Sequence, residues 1–355
     1  MISTVKGKRI LLIGQVFYDY HVRIIAELGK LGAEVVFYDN KLFPEDPILY
    51  RNSKASRLKR LLNPGYKKNY HAQILMETEG QQFDILFCIG GFALSLELIN
   101  TIRLRNPGIR SMIYFWDSFA VWPFEYLVPA FDEAYSFERA DCLRYNMQYL
   151  PLFFSKEQIP SLVPLNGRNL DLLYVGSVGP ASRNRFAILA WFAAACKQEN
   201  LHNLLFLLYS KPKHSALIKA LNAIRRFFDK NYRGFMKDLA HYRQNFDFVK
   251  DEPLSTAELS GLFQNAKCVL DIQVPGQTGL TMRTIEALAH GCKLLTTNKA
   301  IIEEPFFDPD WVQVLETANM RLDLNFISGL PGKPINIDYL SLDNWVLNIV
   351  GNQAK

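Results

Sequence analysis

The hydrophobic positions along the chain form two series of short apolar runs that alternate with segments of helical periodicity. The first series begins with the run RILLIGQ, continues with the helical pattern HVRIIAELGKLG and returns to a second apolar run, AEVVFYD. Apolar runs of this length are typical of strands that are buried on both faces of a parallel sheet. We therefore predict strand–helix–strand units that build a parallel α/β sheet.

The same alternation continues and then starts a second time, which predicts two domains. DILFCIGG, LSLELINTIRLRNP and RSMIYFWD extend the first series, whereas DLLYVGSVG, RFAILAWFAAACKQ, NLLFLLYS and KCVLDIQV belong to the second. The intervening segment PLFFSKEQIPSLVPLNGRN contains three prolines and is typical of a linker. We predict a first domain over 1–152, a linker over 153–168, a second domain over 169–338, and a C-terminal helix within 339–355 able to pack back on the first domain.

Composition narrows the class of protein without identifying it. A length of 355 residues, of which 49% are hydrophobic, suffices for a sizeable core, and the net charge of +5 is modest. Five scattered cysteines without CxxC spacing favour reduced, buried thiols. No apolar run approaches the roughly 20 residues of a membrane span. These features predict a cytoplasmic protein, with peripheral contact to the inner face of the cytoplasmic membrane left open.

A glycine-containing turn followed by a charged helical pattern is the first candidate for chemistry. In PGQTGLTMRTIEALAHGCKLLTTN, Gly276 and Gly279 permit positive φ and a close approach of the backbone to a ligand. A helix that starts near Thr281 would direct free N–H groups towards an anion such as a diphosphate. Arg283 could neutralise phosphate and Glu286 could accept hydrogen bonds from ribose hydroxyls, since the two share a helix face. The alternative is an ordinary helix in which Glu286 caps its own N-terminus.

The segment GLTMRTIEALAHGCKLLTTN resembles the donor-site segment of GT-B glycosyltransferases. The resemblance implies that Gly279 and Leu280 lie on the turn facing the donor sugar and phosphates, and that Glu286 binds ribose. Many retaining members carry an acidic residue eight positions before this glutamate, but here that position is Thr278. The resemblance therefore leaves open whether the sugar's configuration is retained or inverted.

The wider chain shows the same likeness over most of residues 84–300. YFWDSFAVWP and FDEAYSFERADCLRYN resemble a bacterial branch of these enzymes that makes surface polysaccharide and lipopolysaccharide. The implied fold class is α/β, with two Rossmann-like domains whose parallel sheets face each other across a cleft. The first domain would bind the acceptor and the second would bind a nucleotide sugar.

A second glycine cluster, VGSVGPASRNR, follows the first strand of the predicted second domain. Arg183 or Arg185 could clamp a diphosphate at the helix entry, or they could belong to a solvated helix start. The spacing departs from GxGxxG, which argues against a dinucleotide cofactor. The predicted nucleotide-sugar-binding residues are Gly176, Ser177, Arg183, Arg185, Tyr209, Lys250, Thr278, Gly279, Leu280, Thr281, Arg283 and Glu286.

Candidates for a general base come from the first domain. GQVFYDYHVR, at the first strand-to-helix loop, offers Asp19 and His21, and FWDSF offers Asp117 at the end of another strand. A transferase of this kind needs one base within reach of an acceptor hydroxyl, with a pKa near neutrality. Each residue also has an ordinary role: Asp19 as a helix N-cap, His21 as a surface residue and Asp117 as a loop cap.

Metal ligands and nucleic-acid modules find little support in the sequence. There is no HExxH motif, and the DPD at Asp308–Asp310 lies in a proline-rich loop beyond the donor motif. We expect no metal and no cofactor, with arginines and a helix dipole supplying positive charge. Two basic segments, 51–68 and 211–243, fit solvated helix faces or contact with an anionic membrane better than nucleic acid.

The sequence thus predicts a metal-independent glycosyltransferase. It would move a sugar from a nucleotide-sugar donor to a bacterial surface glycan or a lipid-linked acceptor. Two alternatives remain open at this point: a nucleotide-sugar epimerase on the same fold, and a non-catalytic nucleotide-sugar-binding partner of a polysaccharide assembly complex.

Overall fold

The computed structural model describes residues 5–40, 66–159, 162–209 and 229–351. The chain divides into two compact units, Met1–Ser155 with Asp338–Lys355, and Lys156–Ile337. Each unit contains one six-stranded sheet in which every pairing is parallel. The predicted α/β class with two parallel sheets is confirmed. The basic residues 51–65 and 211–228 lie outside the described residues.

The first unit has the strand order β2-β1-β3-β4-β5-β6. Its strands are β1 (Arg9–Gly14), β2 (Glu34–Asp39), β3 (Ile85–Ile89), β4 (Arg110–Phe115), β5 (Glu133–Ser136) and β6 (Gln148–Tyr149). Its helices are α1 (Tyr20–Lys30), α2 (Tyr66–Glu77), α3 (Leu96–Arg105), α4 (Arg139–Tyr145) and, from the end of the chain, α10 (Leu342–Val350).

The second unit has the strand order β12-β11-β10-β7-β8-β9. Its strands are β7 (Leu170–Ser177), β8 (Asn203–Leu208), β9 (Val249–Lys250), β10 (Ala266–Asp271), β11 (Lys293–Thr296) and β12 (Val312–Val314). Its helices are α5 (Asn184–Gln198), α6 (Lys230–Asn245), α7 (Thr256–Asn265), α8 (Met282–Ala289) and α9 (Leu324–Ser328).

Burial along the strands follows the apolar runs, with one correction. The central strands β3 and β4 are buried over nearly their whole length, as continuous apolar runs predict. The run AEVVFYD was also predicted to form a buried strand, and this is wrong: β2 is half-buried, with Glu34 exposed. The reason is position, because β2 is an edge strand: within the described ranges, β1 is the strand that pairs with it.

The C-terminal helix α10 completes the core of the first unit. Trp345 is fully buried, and its ring centroid lies 4.7 Å from that of Tyr114 and 4.8 Å from that of Phe153. The indole Nε1 donates to the carbonyl of Pro151 at 3.1 Å. A buried tryptophan with its N–H satisfied contributes both apolar burial and a fixed orientation. Residues more than 180 positions apart in sequence therefore share one core.

A buried arginine closes the beginning of the second unit. Arg168 lies in the predicted linker and is 4% exposed. Its guanidinium donates to four backbone carbonyls and one thiol sulfur, those of Val163, Phe263, Ala266, His290 and Cys292. Hydrogen bonds to a charged group are worth more than neutral ones, and a buried charge requires them. The segment before β7 is thus fastened to α7, β10 and the turn after α8.

All five cysteines are buried and none is in a disulfide. Within the described ranges, no helix has the length and apolar character needed to cross a membrane.

Candidate functional site

Helix α8 begins where the turn motif predicts. Thr281 is the N-cap, and its hydroxyl oxygen accepts a hydrogen bond from the backbone N–H of Thr284 at 3.2 Å. The turn before it has its positive φ at Gly276, with φ of +84° and open space around the position of a Cβ atom. Leu280 is 1% exposed, so its side chain anchors the turn in the core. The side chain of Thr278 is exposed.

A buried carboxylate that the sequence analysis missed holds this helix start in place. Asp271, the last residue of β10, is 5% exposed. It accepts hydrogen bonds from the hydroxyls of Thr281 at 3.0 Å, Thr284 at 3.1 Å and Thr296 at 3.1 Å. Because these threonines belong to the cap and first turn of α8 and to the end of β11, one carboxylate joins three elements. An acidic residue that closes an apolar strand was the available signal.

Asn298 fixes the preceding turn in the same way. Its side chain is 1% exposed and its amide N–H donates to the carbonyl of Thr278 at 2.8 Å and more weakly to that of Gly279 at 3.4 Å. The carbonyl oxygen of the same amide accepts from the backbone N–H of Ala300 at 3.0 Å. The backbone of the turn is therefore positioned by a buried side chain that sequence reasoning also missed.

Arg283 and Glu286 form an ion pair one turn apart on α8. Glu286 is buried, at 7% exposure, whereas the side chain of Arg283 is 26% exposed. The alternative that Glu286 caps its own helix does not describe this geometry, since Thr281 is the N-cap. The pair presents a cation and an acceptor on the first turns of the helix. Their assignment to phosphate and ribose stays a prediction.

The loop after β7 lies beside this helix start, because β7 and β10 are neighbours in the sheet. Arg185 joins the two strand ends: its guanidinium donates to the carbonyl of Ile272 at 2.7 and 3.1 Å and to that of Ser177 at 2.5 Å. Three charge-assisted bonds to backbone oxygens position this cation rigidly. Of the two predicted arginines, Arg185 is the one that the structure places between β7 and β10.

The side chain of Arg183 contacts α6 and not the strand ends. It is exposed, pairs with Asp238 of α6, and lies over Gly234 of the same helix, where a Cβ atom would come 2.5 Å from Nη1. Tyr209 and Lys250 are also displaced from α8, because β8 and β9 lie on the far side of β7 from β10. The Tyr209 N–H donates to the Lys250 carbonyl at 2.8 Å. The structure thus separates these three residues from the group around α8.

Close packing explains why residue 176, the first glycine of the segment VGSVGPASRNR, has no side chain. A Cβ atom at Gly176 would overlap the hydroxyl oxygen of Tyr174 and lie 2.8 Å from its Cζ atom. Tyr174 is 2% exposed, and burial raises the pKa of its hydroxyl to about 12. Glycine at this position therefore lets a tyrosine ring reach the carboxyl end of β7. Tyr174 was not among the site residues predicted from the sequence.

In the first unit, Asp19 and His21 lie at the start of α1. Asp19 occupies the N-cap position without a side-chain cap bond; its carboxylate accepts instead from Nη2 of Arg23, at 2.6 and 2.7 Å. The His21 ring stacks on Phe37 with a centroid distance of 5.5 Å, and its buried Nδ1 makes no hydrogen bond to a described residue. Asp19 is therefore at the N-cap position, as predicted, but its side chain does not cap the helix.

Asp117, the third candidate base, follows β4. It is half-buried, and burial raises the pKa of its carboxyl group from the ordinary value of 3.8 to about 6. Its neighbour Trp116 contacts Phe17 of the β1 loop, with ring centroids 6.1 Å apart. The loop after β1, which leads into Asp19 and His21 at the start of α1, therefore meets the loop after β4, which carries Asp117.

The predicted DPD segment is held by local contacts. The Asp308 carboxylate accepts from the backbone N–H of Asp310 at 3.0 Å and lies 3.5 Å from the ammonium of Lys333. Over the parts of the chain that the structure describes, no group of three or more His, Cys, Asp or Glu side chains could hold a metal ion.

Comparison with solved structures identifies the fold class. The chain is similar to a UDP-forming α,α-trehalose-phosphate synthase from Burkholderia xenovorans in complex with glucose-6-phosphate, at 12% identity over 86% of this chain and 89% of that one, with a TM-score of 0.54. It is also similar to the corresponding enzyme from Burkholderia vietnamiensis, at 12% identity over 84% of this chain and 86% of that one, with a TM-score of 0.52. A third similar structure is an α-glucosyltransferase in complex with UDP and DNA, at 11% identity over 86% of this chain and 82% of that one, with a TM-score of 0.50.

These likenesses show a shared fold, the GT-B fold, and so confirm the predicted α/β class with two Rossmann-like domains. No protein-family model matches the sequence, and no curated protein matches it either.

Proposed function

We propose that the protein is a glycosyltransferase that uses a nucleotide sugar as its donor. The observation that carries the proposal is the start of α8, where a capped N-terminus and the pair Arg283 and Glu286 lie beside the loop after β7. Structures with the same fold are described as UDP-forming or as complexes with UDP. A helix N-terminus attracts phosphate, and a buried carboxylate accepts from a ribose diol.

The second unit would bind the donor. The first-turn N–H groups of α8 and the Arg283 guanidinium would receive the diphosphate, and Glu286 would release Arg283 to accept from ribose hydroxyls. Asp271 and Asn298 would keep this arrangement fixed, since both are buried and bonded to the turn and cap. Preorganised charge at the point where the diphosphate departs is the main source of catalysis expected here.

The first unit would bind the acceptor, with Asp117 as the base. The acceptor hydroxyl oxygen would attack the anomeric carbon, the bond from that carbon to the diphosphate oxygen would break, and the hydroxyl proton would pass to the Asp117 carboxylate. A base with a pKa of about 6 is ionised at neutral pH and still basic enough to receive this proton. The nucleoside diphosphate would leave with the bonding electron pair.

The acceptor class is proposed from the resemblance of the first half to enzymes of bacterial surface-polysaccharide synthesis. The acceptor would be a surface glycan or its lipid-linked precursor, and the basic segment 51–68 would approach an anionic membrane surface. Metal independence is part of the proposal, because Arg283, Arg185 and the dipole of α8 already supply positive charge at the donor diphosphate.

Glu286 provides the direct test of the donor site. We expect Glu286→Ala to raise the donor KM by at least about tenfold while the protein stays folded, because hydrogen bonds to a charged acceptor are lost. A thermal-shift screen with UDP, GDP, CMP and dTDP sugars would identify the donor first, since a bound ligand stabilises the native state. Steady-state kinetics with that donor would then compare the variant with the wild type.

The matched control is Glu316→Ala, which removes a glutamate whose side chain is 71% exposed in a surface pair with Lys299. It should leave KM and kcat unchanged. Wild-type kinetics for Glu286→Ala would show that the donor binds elsewhere. Donor consumption without any acceptor would instead favour an epimerase, and tight nucleotide binding without turnover would favour a binding protein.

A further inference from the structure

The hydroxyl of Tyr174 is a buried donor at the carboxyl end of β7. The side chain is 2% exposed, and its oxygen lies so near Gly176 that a Cβ atom there would overlap it. The oxygen makes no hydrogen bond to any described residue. Buried hydroxyls are nearly always hydrogen-bonded, so a buried one without a partner calls for a ligand or a water molecule.

The first unit contains a matched tyrosine that shows the usual arrangement. Tyr114 in β4 is also fully buried, and its hydroxyl donates to the carbonyl of Leu150 at 2.9 Å. Both side chains lie in central strands of parallel sheets. Tyr174 differs from Tyr114 in that no described residue accepts a hydrogen bond from its hydroxyl.

Charged residues of the candidate donor site also influence the ionisation of the Tyr174 hydroxyl. Besides burial, which raises its pKa to about 12, the charges of Arg185, Asp271 and Arg283 act on it. The hydroxyl accordingly keeps its proton at neutral pH and is available as a donor. Asp271 accepts hydrogen bonds from the cap and first turn of α8, and Arg185 donates to the carbonyl of Ser177 at the end of β7, close to Gly176.

We propose that the Tyr174 hydroxyl donates a hydrogen bond to a phosphate oxygen of the nucleoside diphosphate bound at the start of α8. This inference rests on the proposed function and adds to it a ligand-binding residue in the sheet floor. The ligand supplies the acceptor that the protein lacks at this point. The role of Gly176 is then to leave room for the hydroxyl to reach the ligand.

The test uses Tyr174→Phe in the full chain, which removes the oxygen and keeps the ring. We expect about tenfold weaker binding of UDP and of inorganic pyrophosphate by isothermal titration, since the lost bond is to a charged group. Without ligand, the variant should melt at the same temperature as the wild type or higher, because an unsatisfied buried hydroxyl has been removed. A loss of affinity without a loss of stability is the result that supports the proposal.

Tyr114→Phe is the matched control and should behave in the opposite way. It should lower the melting temperature, because the carbonyl of Leu150 loses its donor, and leave pyrophosphate affinity unchanged. If wild type and Tyr174→Phe bound UDP and pyrophosphate equally, or if Tyr174→Phe were destabilised as Tyr114→Phe is, the hydroxyl would have a structural role and the inference would be wrong. If the wild type bound neither UDP, GDP, CDP nor dTDP nor pyrophosphate, the proposed function itself would fail.

Discussion

Asp117→Asn is expected to lower kcat by about 10³-fold while leaving the donor KM nearly unchanged, because a positioned base contributes about 10²–10⁴-fold. The amide keeps the size of the carboxylate but cannot take up the proton of the acceptor's hydroxyl group. The measurement is steady-state kinetics with saturating donor and acceptor. A kcat effect without a donor KM effect would locate the loss in the chemical step.

The pH dependence supplies a second signature of the same residue. The carboxylate must be ionised to act as a base, so wild-type kcat/KM should fall as pH decreases through about 6, the raised pKa of Asp117. The residual activity of Asp117→Asn should lack this limb. A wild-type profile that is flat between pH 5 and 8 would contradict the assignment.

As pH rises through about 6, stability should fall, whereas activity should rise. Because the folded-state pKa of Asp117 lies above its ordinary value of 3.8, the native protein binds this proton more tightly than the unfolded chain. The ionised form therefore costs stability above about pH 6, and the cost disappears as pH falls towards 4. Asp117→Asn should melt at a higher temperature than wild type at pH 7 and lose that advantage near pH 4.

Asp19→Asn is the matched control for these measurements. The Asp19 carboxylate is held by Arg23, and no role as a base is needed for that contact. We expect little change in kcat from this variant. If Asp19→Asn lost activity and Asp117→Asn kept it, the base would be Asp19.

Asp271→Ala is expected to have the largest effect on the stability of the second unit. It removes the shared acceptor of three threonine hydroxyls and should lower the free energy of unfolding by about 3 kcal/mol. Because the start of α8 loses its attachment to β10, nucleoside diphosphate binding should be lost as well. Urea denaturation measures the first effect and titration calorimetry measures the second.

The control for this variant is Asp310→Ala. That carboxylate is exposed in the same unit and accepts from the backbone N–H of Gly332 at 3.2 Å. Its loss should change stability by less than about 0.5 kcal/mol. Equal stabilities of Asp271→Ala and Asp310→Ala would show that the threonine bonds contribute nothing.

The fold could be predicted because its signal is local. Continuous apolar runs and the capped start of α8 are properties of short segments, and both correspond to the observed elements. The prediction of a buried β2 was wrong because the run shows apolar character but not whether the strand lies at a sheet edge. Strand order is a long-range property that a run of residues does not contain.

The contacts of the candidate site that were not predicted from the sequence are also long-range. Asp271 reaches Thr296, 25 positions away, and the pairing of Arg183 with Asp238 spans 55 positions. Such partners are chosen by how strands and helices pack, so residue type and spacing alone could not find them. Tyr174 was hidden for another reason, since a tyrosine inside an apolar run has the pattern of an ordinary core residue.

The location of α10 has a consequence for how the chain is synthesised. Residues 5–155 leave the ribosome first, but the tryptophan that fills their core is carried by residues 342–350. The segment that forms the other sheet is translated in between and can complete its own core earlier. The N-terminal part must therefore wait with an open apolar surface, and during translation it is the region that a chaperone would most readily bind.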